Sequence, residues 1–249
     1  MLVCPKCGAA IGENDVYCAG CGTMLHRVCS HCHALMPLTA KFCSNCGTKF
    51  EEVKENHVFS IPLPIEKNGF MIDGRDQQKY KMVKIGNQIW LAENFRFKST
   101  DSYVYGNNED MAEKYGRLYT WDSARIVAPP GWHLATRRDF NELGRFCKSL
   151  GQGMVGTMLK SKDAEWKTNG IFGPGTPGSD AVGFAAMPYG VRTSAGVFSY
   201  LGSFAYFWCA DEENMGRAYY RHLSYFTGAY QECSSKKECA FSVRLVKNQ

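Results

Sequence analysis

Several features are scarce in this chain of 249 residues, and each absence excludes a class of protein. No run of about 18 apolar residues occurs, so no transmembrane helix is expected. The N-terminus has no basic segment followed by an apolar stretch, so no signal peptide is expected. The formal net charge of +5 is too small to make nucleic-acid binding the default expectation. A hydrophobic content of 45% argues against disorder and describes a soluble globular chain.

Cysteine and aromatic residues are distributed unevenly along the chain. Eight of the 12 cysteines lie in residues 1–50, and four lie in residues 51–249. The first segment has only three aromatic side chains, Tyr17, Phe42 and Phe50, and all five tryptophans come later. Residues 1–50 therefore have too little apolar bulk to fold by burial alone, whereas the rest of the chain has the composition of an ordinary core.

The eight N-terminal cysteines form a repeat with a period of 25 residues. Each unit reads C-x2-C, ten residues, C-x2-C, and the two sets are Cys4, Cys7, Cys18, Cys21 and Cys29, Cys32, Cys43, Cys46. Two C-x2-C turns can place four thiolates in a tetrahedron around Zn²⁺, and such binding contributes about 10–16 kcal/mol to folding. Because four cysteines leave no open position for water, we predict two structural zinc ions.

A disulfide framework is the alternative for an even number of cysteines. It needs an export route, which is not visible, and the C-x2-C spacing is that of metal sites. The nearby His26, His31 and His33 are interpreted as bystanders. Residues 1–50 resemble the double zinc ribbon family, in which two such units stand in tandem. The resemblance implies an adaptor that contacts protein or nucleic acid.

Residues 51–70 are predicted to form a linker, and residues 71–249 a second domain. The linker begins with charged residues and continues with Ile-Pro-Leu-Pro, which favours an extended chain. An edge strand on the second domain is the alternative for this segment. Two short strands, Tyr80 to Ile85 and Gln88 to Leu91, flank a Gly-Asn turn and predict a hairpin.

One helix is clearly marked in the second domain. Thr136 is a suitable N-cap, Asp139 favours the helix start, and Gly151 ends the pattern. Apolar residues recur at helical spacing at Phe140, Leu143, Cys147 and Leu150. A shorter helix is predicted around Asp110 to Tyr115. The remaining apolar segments are short and interrupted by glycine, so we predict an α+β domain with many loops.

Five segments resemble, in order, the motifs of the Fibrobacter succinogenes major paralogous domain. They are Tyr80 to Asn94, Lys114 to Trp121, Pro130 to Leu134, Gly183-Phe184 and Phe241 to Lys247. The resemblance covers residues 71–249. It implies a C-type lectin-like fold with two helices, a small twisted antiparallel sheet and a loop-rich face that displays variable side chains.

This chain departs from the family at its cysteines. Many exported members have cysteines where this chain has Ala128 and Leu245, and often a second pair around the segment Ser102 to Met111, which has none here. A reducing compartment permits the loss of whole pairs. Together with the thiolate zinc sites and the missing signal peptide, this loss predicts a cytoplasmic, bacterial protein.

The motifs of calcium-dependent sugar binding are absent. The best acidic cluster is 211–214, which we interpret as a solvated loop. Formylglycine-generating enzymes, another branch of this fold, use paired cysteines with copper, and an oxidase of that kind is an alternative. We interpret Cys147 and Cys209 as core residues and Cys233 and Cys239 as free thiols, with no base placed beside them. A local bridge between Cys233 and Cys239 is the alternative.

Two kinds of motif residue are interpreted as structural. His133 is expected to be a buried histidine that is hydrogen-bonded to backbone. Trp90, Trp121 and Trp132 are expected to be core aromatics whose indole N–H groups find partners.

The segment 206–232 is the strongest candidate for a recognition surface. Strand alternation places Tyr219, Arg221, Leu223 and Tyr225 on one face, which we interpret as inward, and the residues between them on the other. The predicted ligand-binding set is Tyr206, Trp208, Asp211, Tyr220, His222, Ser224, Phe226 and Tyr230. The region also resembles the variable segment of proteins that diversity-generating retroelements mutate. An ordinary half-buried sheet is the alternative.

These patterns predict a non-enzymatic protein that binds a ligand or a protein through its lectin-like face. A membrane is not expected as a partner. No paired carboxylates or nucleophile–base pair stand out, and the glycine-rich segment 173–178 lacks the Lys-Ser/Thr of a nucleotide loop. An alternative is a nucleic-acid-binding or adaptor role for the ribbons, whose basic residues are Lys6, Arg27, Lys41 and Lys49.

Overall fold

The computed structural model describes residues 2–4, 10–13, 15–18, 23–50, 63–162 and 166–248. Within these ranges the chain is mixed α and β and consists mostly of strands. The N-terminal part forms two small antiparallel hairpins, β1 (Leu2–Val3) with β2 (Ala10–Ile11) and β3 (His26–Val28) with β4 (Leu35–Pro37).

The backbone pairing of these hairpins reproduces the 25-residue sequence repeat. Leu2 pairs with Ile11 in the first hairpin, and Arg27 pairs with Met36, 25 residues later, in the second. Equal spacing of the cysteines therefore corresponds to equal strand register in the described parts of the two units.

The larger part of the chain is built from two main sheets. Its strands are β5 (Ile65–Lys67), β6 (Phe70–Ile72), β7 (Lys79–Ile85), β8 (Gln88–Leu91), β9 (Ser102–Tyr103), β10 (Leu118–Thr120), β11 (Trp132–Leu134), β12 (Asn169–Gly170), β13 (Gly173–Pro174), β14 (Val191–Arg192), β15 (Phe198–Ser199), β16 (Phe204–Asn214), β17 (Arg217–Ser224), β18 (Gln231–Lys236), β19 (Ala240–Ser242) and β20 (Leu245–Lys247). One sheet has the order β11-β20-β8-β7-β6-β5. The other has the order β15-β14-β19-β16-β17-β18, in which β10 also pairs with β19 and β9 pairs with β10.

Strands β7 and β8 form the predicted hairpin, in which Val83 pairs with Trp90 and Gly86 takes a positive φ in the turn. Strand β5 is the edge of this sheet, so Ile65–Lys67 forms the edge strand that is the alternative for the end of the predicted linker. The preceding Pro64 has no amide N–H to donate to a neighbouring strand. It is compatible with an edge strand, because such a strand pairs on one side only. Residues 51–62 lie outside the described residues.

The described helices are α1 (Met111–Tyr115), α2 (Trp121–Ile126), α3 (Arg137–Ser149) and α4 (Val155–Leu159). α3 is the clearly marked helix, and its start has the expected cap, because the Thr136 side chain accepts from the Asp139 amide while the Asp139 carboxylate accepts from the Thr136 amide. α1 confirms the shorter predicted helix.

The implied count of two helices is wrong, since α2 and α4 are also present. Helices of five or six residues are too short to show a 3.6-residue period in the sequence. None of the described helices has the length and apolar character needed to cross a bilayer.

Two apolar clusters form most of the core of the larger part. One contains Trp90, Phe140 and Phe207, and the other contains Tyr80, Trp121, Trp208 and Phe241. Burial of these rings uses part of the high aromatic content of residues 71–249. Cys147 and Cys209 are fully buried in the first cluster, as predicted.

The motif tryptophans are core residues, but their hydrogen bonding is uneven. Trp90 Nε1 donates to Gln88 Oε1 at 3.2 Å, and Trp121 Nε1 donates to the Cys209 carbonyl at 2.8 Å. Trp132 is also buried, yet its Nε1 finds no partner among the described residues. The prediction is therefore confirmed for two of the three indoles.

The prediction for His133 is wrong. Its side chain is partly exposed, and its two ring nitrogens contact side chains instead of backbone: Nδ1 lies 2.7 Å from Asn248 Oδ1, and Nε2 lies 3.0 Å from Asp139 Oδ2. Asp139 is the third residue of α3 and the carboxylate partner of Thr136 in its capping box. His133 therefore links the capping box to the C-terminal strand region, a role that depends on residues distant in sequence.

Candidate functional site

Four cysteines of the second repeat unit converge on one point. The sulfur atoms of Cys29, Cys32, Cys43 and Cys46 all lie within 4.8 Å of one another. Cys29 Sγ is 3.5 Å from Cys46 Sγ, and Cys32 Sγ is 3.4 Å from Cys43 Sγ. Tetrahedral Zn²⁺ with Zn–S bonds of about 2.3 Å needs sulfurs about 3.8 Å apart. This donor set and spacing fit one zinc ion.

Backbone turns hold the thiols in place. The His33 amide donates to the Cys29 carbonyl at 2.8 Å, and the Gly47 amide donates to the Cys43 carbonyl at 2.9 Å. Gly47 has a positive φ of 74°, which glycine adopts at no steric cost. Each C-x2-C pair therefore occupies a tight turn, as the spacing predicts.

The thiol pKa values differ within the cluster. A hydrogen bond from the Cys32 backbone lowers the pKa of Cys29 to about 6, and the Asn45 side chain lowers the pKa of Cys32. Burial raises the pKa of Cys43 to about 11. Hydrogen bonds from backbone and from Asn45 thus favour thiolates at Cys29 and Cys32 before any cation is bound, and a divalent cation favours them at all four positions.

The first repeat unit is only partly visible. Cys4 and Cys18 are buried, whereas Cys7 and Cys21 lie outside the described residues. The Cys18 amide donates to the Thr23 carbonyl at 2.8 Å, and the equivalent bond 25 residues later, from Cys43 to Thr48, has the same length. The described part of this unit thus repeats the geometry of the second.

A cluster of rings lies on one side of the β16–β17 hairpin. We call it the aromatic face, and it consists of Phe204, Tyr206, Tyr220, His222 and Phe226, all partly exposed. Tyr206 lies 5.7 Å from Phe204, 5.7 Å from Tyr220 and 5.9 Å from His222 between ring centroids. Phe226 is 6.1 Å from Phe204. Strand pairing fixes these positions, because Tyr206 stands opposite His222 in the register.

The interior side of β17 agrees with the predicted alternation. Arg221, Leu223 and Tyr225 are buried, and Tyr219 is partly buried. The predicted outward residues Tyr220, His222 and Phe226 are partly exposed, and Ser224 is the exception because it is buried.

Four members of the predicted ligand-binding set lie away from the aromatic face. Trp208 is fully buried and donates from Nε1 to the Tyr119 carbonyl, and Ser224 is 5% exposed, so neither reaches the surface. Asp211 accepts from the Arg137 amide at the start of α3. Tyr230 packs near Phe140 and donates to its carbonyl.

The electrostatics of the aromatic face favour neutral side chains. Burial lowers the pKa of His222, so its imidazole is neutral at pH 7. Its Nδ1 is buried and has no partner among the described residues. Burial also raises the pKa of Tyr220 to about 12, which keeps the phenol protonated. The face therefore offers rings with hydrogen-bonding groups and no formal charge.

Sequence reasoning missed three rings that adjoin or belong to this face. Phe204 is two residues before Tyr206 on the same strand, so alternation alone would have placed it there. Phe172 and Tyr200 lie in loops, with ring centroids 4.8 Å from Phe226 and 5.3 Å from Phe204, and no local pattern marks them. They line a cavity of about 440 Å³ beside the face.

The acidic segment 211–214 is not a loop but the end of β16. Glu212 Oε2 pairs with Lys237 Nζ at 2.5 Å, and Glu213 Oε2 pairs with Arg217 Nε at 3.1 Å. The carboxylates thus have cationic partners of their own. Among the described residues, only the cysteine cluster groups metal-ligating side chains closely.

Ten cysteines lie in the described part of the chain, and none of them forms a disulfide. Cys233 is exposed and Cys239 is partly buried, and both are free thiols, as predicted.

Comparisons with known proteins identify two families along the chain. The family model for the Fibrobacter succinogenes major domain matches residues 83–247, and the model for the double zinc ribbon matches residues 4–47. No curated protein and no solved structure matches the chain. The first match covers about two thirds of the chain, and its order relative to the ribbon is the one that the motifs indicate. The chain therefore belongs to the Fibrobacter succinogenes major domain family and carries a double zinc ribbon before that domain.

Proposed function

We propose that this chain is a non-enzymatic binding protein whose aromatic face contacts a ligand or a protein partner. The observation that carries the proposal is the clustering of partly exposed rings around Tyr206 on a paired two-strand scaffold. Rigid aromatic side chains supply large contact area with little loss of conformational entropy, and tyrosine adds a hydrogen bond.

The two sides of β17 differ in burial: the opposite side packs into the core, whereas the rings of the aromatic face stay partly exposed. Leu223 and Tyr225, on that opposite side, are 1% and 2% exposed and belong to the core. Tyr206 and Tyr220 of the aromatic face rest on Phe241, and all five rings of the face keep part of their surface in solvent. Partly exposed apolar rings of this kind mark an interaction surface when they are contiguous.

The proposal also includes the fold of the larger domain and the way in which its binding surface is varied. We assign the domain a C-type lectin-like fold, in which the β16–β17 hairpin displays the recognition residues. Diversification by a retroelement is part of the same proposal, because the mixture of Tyr, His and Phe on this hairpin suits a varied binding surface. Substitutions concentrated at positions 204–226 in genes from independent isolates would support it, and an even spread over the domain would contradict it.

The ribbon is proposed to bind two structural zinc ions and to contact a second partner. The strand register of the first unit and its hydrogen bond from Cys18 to Thr23 repeat those of the second unit. This repetition supports a second zinc ion there. Phe42, which is 57% exposed between the two zinc-binding turns, is the proposed centre of a protein contact. Nucleic acid is the other partner to test. A cluster of four thiols at Cys29, Cys32, Cys43 and Cys46, together with the free thiols of Cys233 and Cys239, supports a cytoplasmic location.

The experiment compares captured proteins from a cell lysate with three baits. These are the wild-type chain, the triple variant Tyr220→Ala/His222→Ala/Phe226→Ala, and the control Phe70→Ala/Phe146→Ala, whose rings are partly buried outside the aromatic face. We expect proteins retained by the wild type and the control to be lost from the triple variant. Retention of the same proteins by all three baits would refute the aromatic face as the binding surface.

A further inference from the structure

A second surface feature lies on the opposite side of the β16–β17 sheet from the aromatic face. It is a groove of about 960 Å³ between α3 and the segment 228–230. Its cationic side chains are Arg137, Arg138, Arg145 and Lys148 from α3 and Arg221 from β17. No carboxylate is found among the described residues that line it.

The charge of this groove is only partly neutralised. Glu232, behind the groove, lies 2.6 Å from Arg137 and 2.6 Å from Arg221, so one carboxylate serves two guanidinium groups. Arg138, Arg145 and Lys148 are exposed, and none of them forms an ion pair with a described residue. Arg221 is held rigidly, since it is only 7% exposed and also donates to Asn141 Oδ1. The groove therefore keeps an excess of positive charge.

The other wall of the groove is apolar. Met154 is 58% exposed and lies beside Val155 and Ala229 in this wall. An occupant that matches both walls carries anionic groups on one side and apolar groups on the other. Four of the five cations are arginines, which bind carboxylates through two parallel hydrogen bonds.

We propose that this groove binds an extended acidic peptide in which carboxylate and apolar side chains alternate. The cations run from Arg137 to Lys148, 11 residues along α3, which corresponds to about 16 Å of helix and to about five residues of extended peptide. An extended peptide presents its carboxylate and apolar side chains to different walls of the groove, because successive side chains of a strand point to opposite sides. The site is separate from the aromatic face, so either proposal can fail alone.

A single-stranded nucleic acid fits less well. Such ligands need exposed rings on which bases stack. Phe140 in the groove is fully buried, and the Tyr230 ring is covered by Phe140 at 6.5 Å and by the Arg221 guanidinium at 5.1 Å. The surface offers charge without a stacking platform.

The test uses the full chain with zinc bound and calorimetric titration at low salt. The probes are a decapeptide of alternating Glu and Leu, the same peptide with Gln in place of Glu, and an octamer of thymidine nucleotides. The variant Arg138→Gln/Arg145→Gln/Lys148→Gln removes three exposed cations of the groove. The control Lys67→Gln/Lys98→Gln/Lys236→Gln removes three exposed cations elsewhere, so both variants have the same net charge.

We expect the Glu/Leu peptide to bind, the Gln/Leu peptide to bind at least tenfold more weakly, and binding to weaken as salt rises. The groove variant should lose about tenfold in affinity, and the control should stay within about twofold of the wild type. Equal losses in both variants, or no binding of the Glu/Leu peptide to the wild type, would overturn the proposal. Tighter binding of the thymidine octamer would overturn it in favour of nucleic acid.

Discussion

Arg244 Nε donates a hydrogen bond to Asn94 Oδ1 at 2.9 Å, across 150 residues of sequence. The same guanidinium donates to the carbonyls of Leu91, Phe184 and Ala185 at 2.7–3.0 Å, and it is fully buried. Apart from Ala185, which directly follows Phe184, these residues belong to three of the motif segments that identify the family. One buried side chain thus joins segments that are far apart in the chain, which explains physically why they occur together.

Replacing Arg244 with Met should therefore destabilise the domain strongly. Three buried acceptors and the partly buried Ala185 carbonyl lose their donor in Arg244→Met, and each unsatisfied buried group costs about 1–3 kcal/mol. We expect the free energy of unfolding to fall by about 3 kcal/mol or more in urea denaturation of the zinc-bound chain. The control Arg145→Met, at an exposed position, should change it by less than about 0.5 kcal/mol. Similar values for the two variants would show that the buried hydrogen bonds contribute little.

Gly116 should be intolerant of a side chain for two reasons. Its φ is 79°, and an added Cβ would lie 2.6 Å from Asn94 Cβ and 2.8 Å from the Asn94 carbonyl oxygen. Gly106 has a similar φ of 64° but open space around it. We expect Gly106→Ala to lower the free energy of unfolding by about 1 kcal/mol and Gly116→Ala by at least about 2 kcal/mol more. If thermal or urea unfolding gave the same loss of free energy for both variants, the positive φ would account for the whole effect and the contacts with Asn94 would not contribute.

The zinc content should report the two repeat units separately. We expect about two zinc ions per wild-type chain in elemental analysis, and about one after Cys29→Ser, because a Cys₄ site loses a ligand. Cys233→Ser, which changes an exposed free thiol, should leave the content unchanged. A wild-type content of one would show that the first unit binds no zinc. Chelation of zinc should unfold residues 1–50, whose apolar content is low.

The His133–Asp139 contact should make stability depend on pH. Burial lowers the pKa of His133, but hydrogen bonds with Asp139 and Asn248 outweigh it and raise the pKa above its ordinary value. A raised histidine pKa adds stability that is complete below about pH 6.5 and is lost as pH rises through the folded-state pKa. On the acid side, burial raises the pKa of Asp139, but its bonds to His133 and Thr136 outweigh this and lower it, so its contribution is lost as pH falls below about 4.

We therefore expect His133→Gln to lower the melting temperature more at about pH 5.5 than at about pH 8.5. Because His133 is partly exposed, solvent screening limits the effect to less than about 1 kcal/mol. The control His31→Gln, at an exposed position, should show no such difference. A loss that is the same at both pH values would mean that the imidazole charge does not contribute.

The elements predicted correctly are those that local rules specify. The cap at Thr136 and Asp139, the turn at Gly86 and the repeat of C-x2-C pairs each depend on residues within a few positions of one another. The wrong predictions concern elements too short to show a periodic pattern or contacts between residues that are distant in sequence. α2 and α4 are too short to show a period, and the environment of His133 depends on Asn248, 115 residues away.

The predicted ligand-binding set shows the same division. Alternation correctly placed Tyr220 and His222 on one side of β17 and Leu223 on the other. It could not show that Trp208 is covered by Tyr119 and Phe241, or that Tyr230 belongs to a groove with α3, because burial depends on which elements pack together.

The sequence by itself determined the family of this protein and predicted its metal chemistry. Eight cysteines at a period of 25 predict two thiolate sites, of which the described residues show the one at Cys29, Cys32, Cys43 and Cys46, and the ordered motifs specify the domain, because both signals are carried by residue type and spacing. Only the tertiary structure decided which side chains share a surface. It gathered five rings into the aromatic face and five cations into the groove beside α3, since strand pairing and helix packing join residues that are distant in sequence.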